Sequence, residues 1–174
     1  KKLTASSSGD LTFHDGTSDV VFDSTYKEYL FIFNNIHAQT DGANFLFQAN
    51  AAGGSGFNET VTSTIFETYH AEDDGNVGLG YSTGRDSAQG TDFLHLNCGS
   101  CDADNDSCLA GTLQIFNPSS TTFVKHFIGT TNNVLNGAET DNTFTAGYFN
   151  TTSAIDEMQF KMSSGNIDAG TITL

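Results

Sequence analysis

The sequence predicts an all-β protein, a single antiparallel β-sandwich or jelly roll of about ten strands. Three observations carry that prediction. Short runs of aromatic and β-branched residues recur along the chain, separated by clusters of Gly, Asn, Asp and Ser. No stretch places apolar residues at the 3.6-residue spacing of an amphipathic helix. Without helices to serve as crossovers, the strands must pair antiparallel. A length of 174 residues suits one domain with a sizeable core and is short for two. The 15 Phe supply large apolar side chains to offset the entropy of ordering, which a disordered chain lacks.

The elements follow in order. Residues 11–13 and 20–22 read as the first two strands, joined by a turn of His14, Asp15, Gly16, Thr17 and Ser18. Residues 28–36 form the strongest strand, and 44–49 follow after the turn at Thr40, Asp41 and Gly42. A flexible Gly53-Gly54-Ser55-Gly56 connection leads to a strand at 60–69. Residues 71–90 are polar and Gly-rich, a long loop with room for one short strand. Strands at 92–96 and 109–116 flank a Cys/Asp loop. Asn117, Pro118, Ser119 and Ser120 close a hairpin into 122–130, and strands at 144–149, 155–162 and 171–174 finish the chain. The polar opening, residues 1–10, reads as an N-terminal arm or as a simple entry to a sandwich domain spanning 11–174.

Two strands show how the sheets should be covered. Met158, Phe160 and Met162 alternate with Glu157, Gln159 and Lys161, so one face is buried and the other wet. In Tyr29-Leu30-Phe31-Ile32-Phe33 both faces are apolar, so a second cover beyond the opposite sheet is needed. A loop folded over the strand would provide it, and so would another subunit. Tyr29, Phe31 and Phe33 are therefore the candidate oligomer interface.

Six basic residues against 21 acidic ones give a net charge of −15. Such a surface repels phosphates and anionic lipid, which argues against nucleic-acid and membrane partners. No apolar run approaches the roughly 20 residues of a membrane-spanning helix. Lys1-Lys2-Leu3-Thr4-Ala5 lacks the hydrophobic stretch of a secretory signal. Three cysteines cannot all pair internally, so a disulfide-stapled scaffold is not expected.

Little in the chain suggests catalysis. Gly80-Tyr81-Ser82-Thr83-Gly84 fits the letters of a nucleophile elbow, but that elbow needs a hydrophobic strand before the serine and a helix after it. The neighbours of Ser82 are polar and Gly-rich on both sides. The segment from Cys98 to Cys108 supports three readings. Asp102, Asp104 and Asp106 have the alternate spacing of Ca²⁺ ligands, although Ser107 and Leu113 stand where an EF-hand needs Gly and Glu. His95, Cys98, Cys101 and Cys108 offer a Cys₃His zinc set at an unfamiliar spacing. Cys98 and Cys108 can flank a loop tip as a disulfide in an oxidising setting, or all three thiols stay free. Tyr69 and Tyr81 are the only aromatics near the long loops that could stack on a glycan.

Residues 19–29 (Asp-Val-Val-Phe-Asp-Ser-Thr-Tyr-Lys-Glu-Tyr), 116–127 (Phe-Asn-Pro-Ser-Ser-Thr-Thr-Phe-Val-Lys-His-Phe), 146–156 and 159–170 carry a resemblance that extends over nearly the whole chain. Together they resemble a family of small structural proteins of tailed phages that infect marine and freshwater bacteria, cyanobacteria included. The resemblance implies a virion location, a β-sandwich or jelly-roll subunit, homotrimerisation, and contact with a major capsid protein or with tail proteins. It transfers no catalytic residue and no cofactor. The expected role is capsid decoration or cementing on the particle exterior, with a glycan-binding tail-fibre or spike module as the alternative. The Cys98–Cys108 stretch is not part of the resemblance. Relatives continue past the last strand and this chain begins without Met, so further residues are expected at the ends.

Overall fold

Alternating burial along the strands organises the chain into two facing sheets. In the computed structural model, which describes residues 1–135 and 138–174, thirteen strands follow one another. They are β1 (Lys2–Thr4), β2 (Leu11–His14), β3 (Glu28–Ala38), β4 (Phe45–Ala51), β5 (Val61–Ala71), β6 (Val77–Tyr81), β7 (Ser87–Gly90), β8 (Leu94–His95), β9 (Leu109–Phe116), β10 (Lys125–Leu135), β11 (Glu139–Phe149), β12 (Ile155–Met162) and β13 (Ile167–Thr173). Each strand pairing is antiparallel. No helix among the described residues is long and apolar enough to cross a membrane.

The large sheet runs β1-β13-β3-β9-β10-β11-β5-β6, with β7 also on β5, and the small sheet runs β2-β12-β4-β8. Eight of these strands, β1 to β4, β8, β9, β12 and β13, make the framework. Counted in chain order, they lie first-eighth-third-sixth in one sheet and second-seventh-fourth-fifth in the other. That is the order of a jelly roll, two interlocked Greek keys. The remaining strands are two insertions, β5 to β7 and β10 to β11, which widen only one sheet. The large sheet therefore overhangs the small one.

Between the sheets the core is a layer of phenylalanines. Phe13, Phe31, Phe33, Phe45, Phe47, Phe127, Phe149 and Phe160 are all fully buried. Phe160 of β12 lies 5.0 Å from Phe31 and 5.4 Å from Phe33 of β3, both edge-on, which is the favoured aromatic geometry. Lys125 is the exception in this layer. Its ammonium donates to the carbonyls of Phe123 and Thr151 at 2.9 and 3.0 Å, so its charge is hydrogen-bonded although the side chain is buried. At the β13 corner Gly170 takes φ +112 where the pairing with β3 is irregular. A Cβ there would sit 2.4 Å from the Asn35 carbonyl oxygen.

Several expectations need correction. Residues 20–22 are not a strand: Val20 and Phe22 are buried, but Ser18 and Asp19 take positive φ and Phe22 bonds to the Asp15 carboxylate. The stretch 71–90 holds two strands, β6 and β7. The opening residues are not a free arm, because β1 pairs with β13 and Ser8 bridges Ile167. Tyr29, Phe31 and Phe33 face the inter-sheet core and offer no interface; the outward residues of this part of β3 are Glu28, Leu30, Ile32 and Asn34, of which Leu30 and Ile32 are apolar.

Candidate interaction face

Strand parity decides what the large sheet shows to solvent. Phe31, Ile65, Phe127 and Thr143 point inward and are buried, so their neighbours Leu30, Ile32, Phe66, Ile128 and Phe144 point out. Register then lines them up across the sheet. One row runs Ile32, Thr112, Thr130, Phe144, Phe66, Tyr81, and the next runs Leu30, Gln114, Ile128, Ala146, Thr64. Phe66 and Phe144 stack with ring centroids 4.9 Å apart and planes 13° from parallel. Beside this ridge lies an open groove of about 430 Å³, lined by Thr62, Thr64, His126, Ile128, Ala146 and Tyr148.

From β3 to β6 the two rows hold no carboxylate of their own, although the chain carries 21 acidic residues; the first row continues through Thr173 to Lys2 on β1, and Glu28, the next outward residue of β3, accepts from Gln114 Nε2 at 2.9 Å. Ile128 is 54% exposed, Leu30 44% and Phe66 40%. Large apolar side chains gathered on one sheet face are the signature of a surface meant to be covered. Sequence reasoning found Leu30 and Ile32 as the second apolar face of their strand but assigned the interface to the wrong parity. Ile128, Phe66 and Phe144 went unnoticed because their same-face neighbours two residues away are polar or small: His126 and Thr130, Thr64 and Thr68, Asn142 and Ala146.

The overhang is covered on its inner side by the chain between β6 and β9. Ser82 donates its amide to the Ile65 carbonyl, Cys98 donates its amide to Thr143 Oγ1 at 2.8 Å, and the Thr131 hydroxyl donates to the Leu96 carbonyl. Beneath these contacts lie Glu67 and Asp141, on neighbouring strands. Burial first, then their mutual contact for Glu67, pushes both carboxyls above their ordinary range, so the pair holds a proton readily. Arg85 Nη1 reaches His95 Nδ1 at 3.0 Å, and burial, then this cation, pulls the His95 pKa down to about 4. This is a polar plug holding a loop, not an open cleft.

The residues singled out in the sequence are dispersed. Ser82 precedes a turn and then β7, not a helix. Asp102, Asp104 and Asp106 do not converge, and among the described residues no three His, Cys, Asp or Glu side chains come together as metal ligands. Asp102 Oδ1 accepts the Asp104 amide at 3.2 Å, and the Asp104 carbonyl lies 3.1 Å from His37 Nε2. Of the alternatives left open for the cysteines, the Cys98–Cys108 bridge is not formed: all three thiols are free. Cys98 is anchored under β11, whereas the Cys108 sulfur lies 3.9 Å from Asn35 Oδ1 beside β3. Burial pushes the Cys98 thiol up to about 11 and Cys101 to about 12, which keeps both unreactive. Tyr69 and Tyr81 lie on opposite faces of the large sheet, Tyr69 opposite Gly78 on the inner side and Tyr81 opposite Phe66 on the outer. They make no common stacking platform.

Compared with known proteins, the chain matches no family model, no curated protein and no solved structure.

Proposed function

We propose that this chain is a non-enzymatic structural protein of a bacteriophage particle, a decoration or cement subunit on the outside of the capsid. The observation that carries the reading is the gathering of Leu30, Ile32, Ile128, Phe66 and Phe144 on the outer face of the large sheet, in a chain of net charge −15. Such a subunit stays soluble until it docks, keeps nucleic acid away from its outward surface, and buries one prepared face in an assembly. Two further points support it. Jelly rolls recur in viral capsids, a likeness of fold alone. Jelly rolls also serve as lectin and cupin domains, but here the space between the sheets is filled by Phe31, Phe33, Phe47, Phe127 and Phe160. The resemblance to small structural proteins of tailed phages points the same way.

The tail-fibre or spike alternative needs a glycan platform, and the opposed orientations of Tyr69 and Tyr81 weigh against it. Counting copies on purified particles by quantitative mass spectrometry separates the two. Shell symmetry requires hundreds of copies for a decoration subunit, while a tail component is present in about six to a few dozen. A count in the tail range, or absence from particles, contradicts the proposal.

A further inference from the structure

The free edge of the large sheet at β6 is built to receive a strand. We infer that β6 takes up an extended segment of another protein, with apolar residues in alternation and Lys or Arg at its ends. The edge has this character whether or not the chain belongs to a particle.

Backbone polarity fixes what the edge lacks. Asn76 accepts from the Ala71 amide and Ser82 donates its amide to the Ile65 carbonyl, so odd-numbered residues of β5 bond even-numbered residues of β6. The N–H and C=O groups of Val77, Leu79 and Tyr81 therefore point away from the sheet. Among the described residues, none of these groups meets a backbone partner. An extended strand satisfies such a row of alternating donors and acceptors. On the outer face the same three side chains are 68%, 72% and 53% exposed, so the added strand brings apolar residues opposite them. The other edge strands are blunted: β1, β2, β7 and β8 have three, four, four and two residues, and β1 carries Lys2. β6 has five residues and neither Lys nor Pro.

Charge selects the occupant. The turn before β6 exposes Glu72, Asp73 and Asp74; His70 Nε2 lies 3.2 Å from Asp74 Oδ1, and Glu139 accepts from Asn76 Nδ2 at 2.8 Å. Past the other end, Asp86 accepts from the Tyr81 hydroxyl at 2.7 Å, and Arg85 is turned to Asn44 and His95. Carboxylates thus flank the edge at both ends. A second copy paired antiparallel about Leu79 would set the 72–74 turn of each chain near Asp86 of the other. A parallel copy would align the two acidic turns. Like charges repel in both arrangements. Basic ends on a foreign strand gain where a second copy loses.

A displayed library of random peptides supplies the probe. Peptides selected on the full chain are sequenced, synthesised and titrated against it by fluorescence anisotropy at low and high salt. Enriched peptides should alternate apolar and polar residues between basic ends, and binding should weaken as salt rises. Leu79→Pro removes one outward N–H and no bond to β5, so the variant should fold and bind about tenfold more weakly or worse. Asp73→Lys combined with Asp74→Lys should also weaken binding. Phe123→Asp, at a site 68% exposed and outside the strands, should leave it unchanged. Circular dichroism and melting curves verify folding, and Leu79→Lys takes the place of a proline variant that fails to fold. No enriched peptide, or peptides indifferent to the Leu79 and acidic-turn variants, overturns the inference. So does a parent oligomer in light scattering that the Leu79 variant dissociates, because the edge then belongs to a second copy. Copy number on particles bears on the virion role alone.

Discussion

Replacing Phe160 by Ala probes the joint between the two sheets. Phe160 is fully buried and its ring meets Phe31 and Phe33 across the gap at 5.0 and 5.4 Å, with Phe45 and Phe13 beside it at 6.0 and 6.1 Å. Truncating a buried Phe removes its transfer energy and leaves a cavity, together about 3–5 kcal/mol. The aromatic pairs across the gap are worth about 0.5–1.5 kcal/mol each beyond area, so the loss belongs at the upper end, about 4–5 kcal/mol. Against a typical total of about 5–15 kcal/mol, the variant should be barely stable. Urea unfolding of the parent, Phe160→Ala, Phe31→Ala and the double variant measures both the loss and the coupling. The double variant should fall short of additivity by about 1 kcal/mol or more, because the two residues share one contact. A single-variant loss below about 1 kcal/mol, or additive effects, would refute the sheet-on-sheet packing.

Other outcomes follow from the same packing. Lys125→Ala empties a buried site and leaves the Phe123 and Thr151 carbonyls without their donor, so urea unfolding should show a loss of about 2–4 kcal/mol. Native alkylation followed by mass spectrometry should label Cys108 well before Cys98 and Cys101, and unfolding should expose all three thiols; a Cys98–Cys108 bridge in the purified protein would contradict this. The carboxyl pair and His95 oppose each other with pH. Because Glu67 and Asp141 hold protons in the folded chain above their ordinary values of 4.5 and 3.8, their contribution to stability is full below those values and is lost as pH rises through the raised ones. His95, lowered from 6.5 to about 4, contributes fully above 6.5 and less as pH falls. Asp141→Asn removes much of the first effect, so between pH 6.5 and 4 the variant should lose stability on acidification more steeply than the parent. Equal slopes in melting temperature against pH would count against a buried, proton-holding pair.

The framework of the fold was legible where one face of a strand is wet. Residues 155–162 alternate cleanly, and β12 occupies those positions. Where inserted strands widen the sheet, the signal fades. β10 runs to Leu135 and β11 starts at Glu139, well beyond the apolar ends at 130 and 144, because the inner residues there are Thr131, Asn133, Asp141 and Thr143. These polar side chains are buried against the loop between β6 and β9 and not against the small sheet, a pairing that periodicity does not encode. Residues 20–22 failed for the opposite reason: Val20 and Phe22 are core residues, but the positive φ of Ser18 and Asp19 bends the chain out of any ladder. The apolar run at 29–33 announced two covered faces without saying which faced the core. Tyr29, Phe31 and Phe33 face it, and Leu30 and Ile32 point outward, partly exposed. The spacing of Cys98 and Cys108 suggested a bridge, yet their sulfurs are held by different strands, a separation only the tertiary path reveals.

Electron cryo-microscopy of the intact particle locates the subunit outright. A decoration subunit gives jelly-roll density repeated over the outer shell, with Leu30, Ile128 and the Phe66–Phe144 pair buried against neighbouring subunits. A shell without this density, or copies whose wide sheet faces open solvent, would contradict it.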